Sequence, residues 1–340
     1  MFRKNMARFK NDGINPQGGA GQRPAPPGLR ARPGFAPVRG DAVFRLLTIV
    51  GSLLIPLLVA GILAELVWYS LPAIKQFGFG FLIFQSWNPV TQEFGAASSI
   101  FGTLVSTLIA MLLAVPLSLA VALFLVELAP PAVSRVVGTL IELLAAIPSI
   151  IYGMWGLFIF APFMSDYLQP ALGKTLGFLP LFQGPPMGIG MLTAGIILAF
   201  MILPFICAIT RDVFLLVPRP VRESAFGMGA TTWEVTRKVI IPYGLVGIIG
   251  ACFLGLGRAL GETMAVTFVI GNAHRISASL FAPGNTIAST LANEFAEATG
   301  TLYVSSLIEL GLVLFLITYV VQIISQILVR RLYRAWSVGL

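Results

Sequence analysis

Charge is scarce in this chain. Asp, Glu, Lys and Arg make up 11% of its 340 residues, against about 25% in soluble globular domains, which excludes an ordinary water-soluble fold. There is a single histidine, His274, with nothing around it that suggests a metal. The two cysteines, Cys207 and Cys252, both fall in apolar runs, where they read as small buried residues rather than a disulfide or metal site. No Gly-x-x-x-x-Gly-Lys-Ser/Thr segment occurs, so the chain is not its own P-loop ATPase. Gly255-Leu-Gly257-Arg-Ala-Leu-Gly261 has the wrong spacing for a dinucleotide loop and follows no strand. It reads instead as small residues that let membrane helices approach closely. With no internal repeat, no metal set and no nucleophile motif, an intramembrane enzyme is left without chemistry, and no cofactor is expected.

What the chain has is apolar length: 57% of its residues are hydrophobic. Runs able to cross a bilayer, each about 20 residues, lie at 44–69, 98–126, 136–162, 190–211, 244–271 and 305–329. In hydrocarbon a backbone satisfies its own hydrogen bonds, so these are expected to be helices. The fold class is therefore an all-α membrane protein with six transmembrane helices. The first run is longer than a signal-peptide core and no small-residue cleavage site follows it, so it is expected to remain in the protein. Pro116, Pro148 and Pro204 fall within these runs and are expected to kink them.

The net charge of +8 would suggest nucleic acid in a soluble protein, but here its placement reports topology. Nine of the 22 Lys and Arg residues precede residue 46, five lie between Arg211 and Lys238, and Arg330, Arg331 and Arg334 close the chain. Lys75, Lys174 and Arg275 are all that the other side would hold. By the positive-inside rule, both termini and the 212–243 loop are expected in the cytoplasm. No nucleic-acid partner is implied. Residues 1–43, rich in Gly, Pro and Arg, are expected to form a disordered basic tail. Residues 44–340 form the membrane domain. The loops at 70–97, 163–189 and 272–304, with Trp87-Asn-Pro89 and Phe281-Ala-Pro-Gly284, are expected to fold back on the membrane surface.

The internal loop reads Glu223-Ser224-Ala225-Phe-Gly-Met-Gly229, then nine residues, then Val239-Ile-Ile-Pro242. It resembles the EAA loop of ABC importer permeases, with Ser224, Val239 and Ile241 as substitutions of similar size. Physically it suits a rigid protrusion: a short helix around Glu223, a turn at Gly229, a second short helix, and Pro242 opening the next. An amphipathic helix resting on the membrane interface is the alternative, and Gly229 would weaken it by about 1 kcal/mol. Four further stretches narrow the family: Phe94-Gly-Ala-Ala-Ser-Ser-Ile-Phe-Gly-Thr103, Ile147-Pro-Ser-Ile-Ile-Tyr-Gly153, Gly257–Val266 and Thr286–Glu297. They resemble those of PstC-type phosphate permeases, from about residue 44 to the C-terminus.

That resemblance implies an ABC importer permease fold in a bacterial inner membrane. It also implies a second, homologous permease subunit, a dimer of ATP-binding subunits that grips the loop and hydrolyses the ATP, an external phosphate-binding protein, phosphate as cargo, and lipid around the helices. Arg258 is the one basic residue well inside an apolar run, and Glu262 follows it by four residues, so the two are expected to share a helical face. A guanidinium there can offset the water lost by an oxyanion, and Glu262 would hold Arg258 between anions. A purely structural ion pair is the alternative. A permease for sulfate or molybdate, or an ion-coupled secondary transporter, are the other readings; the latter has no use for the 212–243 loop.

Overall fold

The computed structural model describes residues 39–337, so the expected tail lies outside the described residues up to residue 38. In chain order the helices are α1 (Arg39–Phe77), α2 (Ala97–Leu128), α3 (Pro131–Ala145), α4 (Ser149–Leu176) and α5 (Met191–Leu215). Then come α6 (Arg219–Gly227), α7 (Thr232–Leu260), α8 (Met264–Val269), α9 (Ile287–Glu294) and α10 (Thr301–Ser337). Six of them, α1, α2, α4, α5, α7 and α10, are long and apolar enough to cross a membrane. A two-residue ladder, β1 (Trp87–Asn88) against β2 (Glu93–Phe94), lies between α1 and α2. Among the described residues, those up to Val59 and those from Ala60 onward fall in separate units, and those of the first are exposed helix.

The first and last spans run longer than 44–69 and 305–329, as Arg39–Phe77 and Thr301–Ser337, so residues 39–43 of the expected tail are helix; two others are bounded differently. The third does not run 136–162: α3 ends at Ala145 and α4 begins at Ser149. The cause is Pro148, which disfavours helical geometry at Ile147; it breaks the run rather than kinking it. Pro116 and Pro204 do lie inside helices. The fifth span does not run 244–271 either. It starts earlier, at Thr232, where Thr231 and Glu234 form a capping box, and stops at Leu260, capped by Gly261. A separate second helix before Pro242 is not formed: a wide π turn over Thr236–Ile240 carries the helix through the proline, which has no N–H to give.

The bundle is organised around α5, the most buried of the spans, which packs most extensively on α2. Up to Ala122 the buried face of α2 carries small side chains at nearly four-residue spacing, Ser99, Thr103, Ser106, Ala110, Ala114, Ser118 and Ala122. Leu104, Leu108, Leu112 and Leu117 are exposed on it. Small residues inward and large apolar ones outward is the arrangement expected where lipid, not water, surrounds the bundle. Ser118 adds a directional tie, its hydroxyl donating to the Leu203 carbonyl beside Pro204 at 2.9 Å.

The segment after α8 does not simply lie on the surface. Its carbonyls at Ala282 and Leu280, with that of Val269 at the end of α8, accept from the N–H groups of Met191, Leu192 and Gly190, the start of α5 that has no partners of its own. The buried face of α9 then packs between α2 and α10. Gly102 makes the approach possible, because a Cβ there would overlap the Asn285 carbonyl.

A polar node ties these pieces together. Asn285 Nδ2 lies 2.7 Å from Ser99 Oγ, 2.9 Å from His274 Nδ1 and 3.1 Å from Thr290 Oγ1. His274 Nε2 is 2.8 Å from Glu294 Oε1. The other Glu294 oxygen accepts from the Tyr303 hydroxyl at 2.8 Å and from the Trp87 indole, whose ring stacks on His274. Burial pushes the Glu294 carboxyl up, but the hydrogen bonds from His274, Tyr303 and Trp87 outweigh it and lower its pKa from the ordinary value. A carboxyl with a lowered folded pKa contributes stability that is complete above the unfolded value of about 4.3 and is lost as pH falls through the folded value. Glu294→Gln should therefore lower the thermal unfolding midpoint of detergent-solubilised protein at pH 7, with the gap to wild type narrowing below about pH 4. A gap that stays constant with pH would show that the carboxylate charge is not what the node uses.

Candidate functional site

The loop singled out in the sequence protrudes from the basic end of the bundle. Pro218 caps α6, whose nine residues place Glu223 and Ser224 on the exposed side and Ala225 inward. Gly229 has φ +84° with open space around it, so it is backbone conformation, not crowding, that requires glycine. Beside these polar residues stand Phe226, Met228 and Trp233, the last two 83% and 65% exposed. Ala225 meets Val235, Ile240 and Phe214 in an apolar cluster at the foot of the protrusion. Pro242 lies in the first turn after the π segment, partly buried.

Two acids at helix ends find a cation at this end. Glu142 of α3 pairs with Arg211 at 3.1 Å, the guanidinium lying where a Cβ on Gly138 would be. Glu127, at the end of α2, pairs with Arg222 at 2.6 Å. Both pairs join residues far apart in sequence, so no local spacing announces them. The acids at the ends of α2 and α3 were the available signal, since a carboxylate in the last turn of a helix is disfavoured without a cation.

Arg258 and Glu262 are placed differently from expectation. Helix α7 ends at Leu260, so Glu262 is off it and the two residues do not share a helical face. No ion pair joins them among the described residues. Arg258 occupies the last turn of α7, where the helix dipole favours a cation, with its guanidinium carbon 5.5 Å from the Phe205 ring centroid. Glu262 turns to the start of α8, accepting from the Ala265 N–H at 3.2 Å. Each charge is thus held by a helix end, on either side of a break at Gly261–Thr263. The spacing of four was a sound signal only for an unbroken helix, and Gly261 interrupts it.

Residues 114–334 match the family described as binding-protein-dependent transport system inner membrane component. The phosphate transport system permease protein PstC of Mesorhizobium japonicum is 54% identical over 296 residues, 86% of this chain and 90% of that protein. This chain is a PstC-type member of that permease family. The PstC of Pasteurella multocida is 53% identical over 86% of this chain and 92% of its own length. Among solved structures, a chain of a bacterial alginate ABC transporter superposes with a TM-score of 0.57 at 17% identity, covering 86% of this chain and 98% of that one. A chain of the MetNI methionine ABC transporter gives 0.50 at 19%, covering 69% and 94%. These two share the fold alone. As a PstC-type permease the chain is an inner-membrane transport component of an ABC transporter, a system that implies a partner permease, ATP-binding subunits and a substrate-binding protein.

The left-handed turn makes the protrusion testable. Gly229→Ile places a β-branched residue at φ +84°, at a local cost of about 1–2 kcal/mol, and should leave membrane levels normal while uptake falls at least tenfold. Gly229→Asn, which tolerates this conformation better, should retain most uptake; equal activity in both variants would remove the turn from any role in transport.

Proposed function

We propose that this chain is the membrane pathway subunit of an ATP-driven importer that moves inorganic phosphate into the cytoplasm, both termini and the α6 protrusion lying inside. Phosphate arrives from an external binding protein and crosses between this chain and a second, homologous permease. ATP is hydrolysed by a dimer of separate subunits into which the protrusion fits, with Glu223, Ser224 and Ala225 on its helix and Gly229 and Pro242 setting its shape.

The observation that carries the reading is the break after α7, which leaves Arg258 in a helix-terminal turn with no carboxylate paired to it among the described residues. Transporter sites are commonly built at interrupted helices, where chain ends and side chains replace the water a substrate sheds. A guanidinium presents parallel N–H groups to an oxyanion, and the face of Phe205 holds it without competing as an anion would. Glu262, held by the Ala265 N–H, adds a negative charge beside the path that keeps binding weak enough for release. The names of the similar PstC proteins support phosphate as the cargo.

Arg258→Gln should abolish uptake of radiolabelled phosphate while the complex still assembles, and Arg258→Lys should retain a part of it. Because the two charges are held separately, Arg258→Gln combined with Glu262→Gln should also fail; recovery of uptake in the double variant would make the residues a structural pair and overturn the pathway role. Orientation is checked independently with a membrane-impermeant thiol reagent added outside cells. It should modify Val90→Cys, at a site 90% exposed, and spare Met228→Cys; the opposite pattern would invert the topology and exclude docking of α6 to a cytoplasmic ATPase.

A further inference from the structure

The geometry points to Arg222 as the residue that transmits movement of the protrusion to the spans, an assignment that rests on the importer reading above. It stands next to Glu223 on α6 but faces the other way: its side chain is 18% exposed, and that of Glu127, its partner, 9%. One arm of the guanidinium donates to Glu127 Oε1 at 2.6 Å, and the other donates to the Phe214 carbonyl. Glu127 lies in the final π turn of α2 and Phe214 in the last turn of α5. A single side chain on the protrusion thus holds the ends of two spans.

Those two spans form the most extensive helix pair among the described residues, the small residues of α2 packing against α5, so displacing their ends moves them together. The other inward attachment of α6 is Ala225, in an apolar cluster. Apolar contact of this kind is non-directional and resists sliding weakly, whereas a partly buried, two-armed guanidinium resists displacement in both directions of its fork. A push on the exposed face of α6 is therefore carried to α2 and α5 through Arg222. Since one arm reaches a backbone carbonyl, the cation alone does not suffice; the planar fork is needed.

The test uses the complete complex with its partner subunits in proteoliposomes, measuring phosphate uptake and ATP hydrolysis on the same samples. Arg222→Gln and Glu127→Gln should co-purify with the ATP-binding subunits and hydrolyse ATP, with phosphate moved per ATP reduced at least tenfold. Arg222→Lys, which keeps the charge and loses the second arm, should fall between. Exchanging the pair, Arg222→Glu with Glu127→Arg, should recover part of the ratio and not all of it, since a carboxylate cannot donate to Phe214. An unchanged ratio in assembled Arg222→Gln would overturn the proposal, as would loss of assembly in both Gln and Lys variants, which would make Arg222 a folding anchor. Wild-type complex that hydrolyses ATP without moving phosphate would instead refute the phosphate reading, and the variants' behaviour relative to wild type would be read with another oxyanion.

Discussion

Hydrocarbon offers no partner to a backbone N–H or C=O, and the main breaks between the described helices are answered by donors or acceptors from side chains and neighbouring segments. Where Pro148 separates α3 from α4, the Tyr152 hydroxyl donates to the Leu144 carbonyl. At the start of α9 the Thr103 hydroxyl accepts from the Ile287 N–H, alongside a capping box between Thr286 and Ser289. Glu262 serves α8 and Arg222 serves the end of α5. The breaks can exist because the bundle supplies these groups at the right places, and the charges used for them come from outside the helix being served.

This explains which parts of the fold were readable in the sequence. The presence of six apolar runs, the protrusion and its turn at Gly229 follow from local composition and local backbone preference, and the structure has them. Helix ends were read less well at 146–148 and at 261–263, where an uninterrupted apolar run hides a break set by one proline or one glycine. The pairs Glu142 with Arg211 and Glu127 with Arg222 span 69 and 95 residues and depend on how α5 packs, which no spacing rule encodes. The converse error, linking Arg258 to Glu262, came from applying helical spacing across a point where the helix stops.

The two ends of the bundle use polarity in different ways. At the basic end, guanidinium–carboxylate pairs join helices far apart in the chain. At the other end, neutral hydroxyl, amide and indole groups surround one carboxylate and one imidazole. The node there gathers residues from before α2, from α2, from the segment after α8, and from α9 and α10, so it registers whether all of them are seated. Its cohesion is distributed over several modest bonds instead of one strong pair.

The capping of α5 by the segment after α8 bears on how the chain is made. The N–H groups at residues 190–192 receive their partners from residues 269–282, synthesised up to about 90 residues later. At about 5–20 residues per second, the start of the central span waits on the order of 5–20 s after leaving the ribosome before its own protein can complete it. During that interval, water at the membrane interface or the insertion machinery has to serve those groups, so the central helix of the bundle enters the membrane early and is finished late.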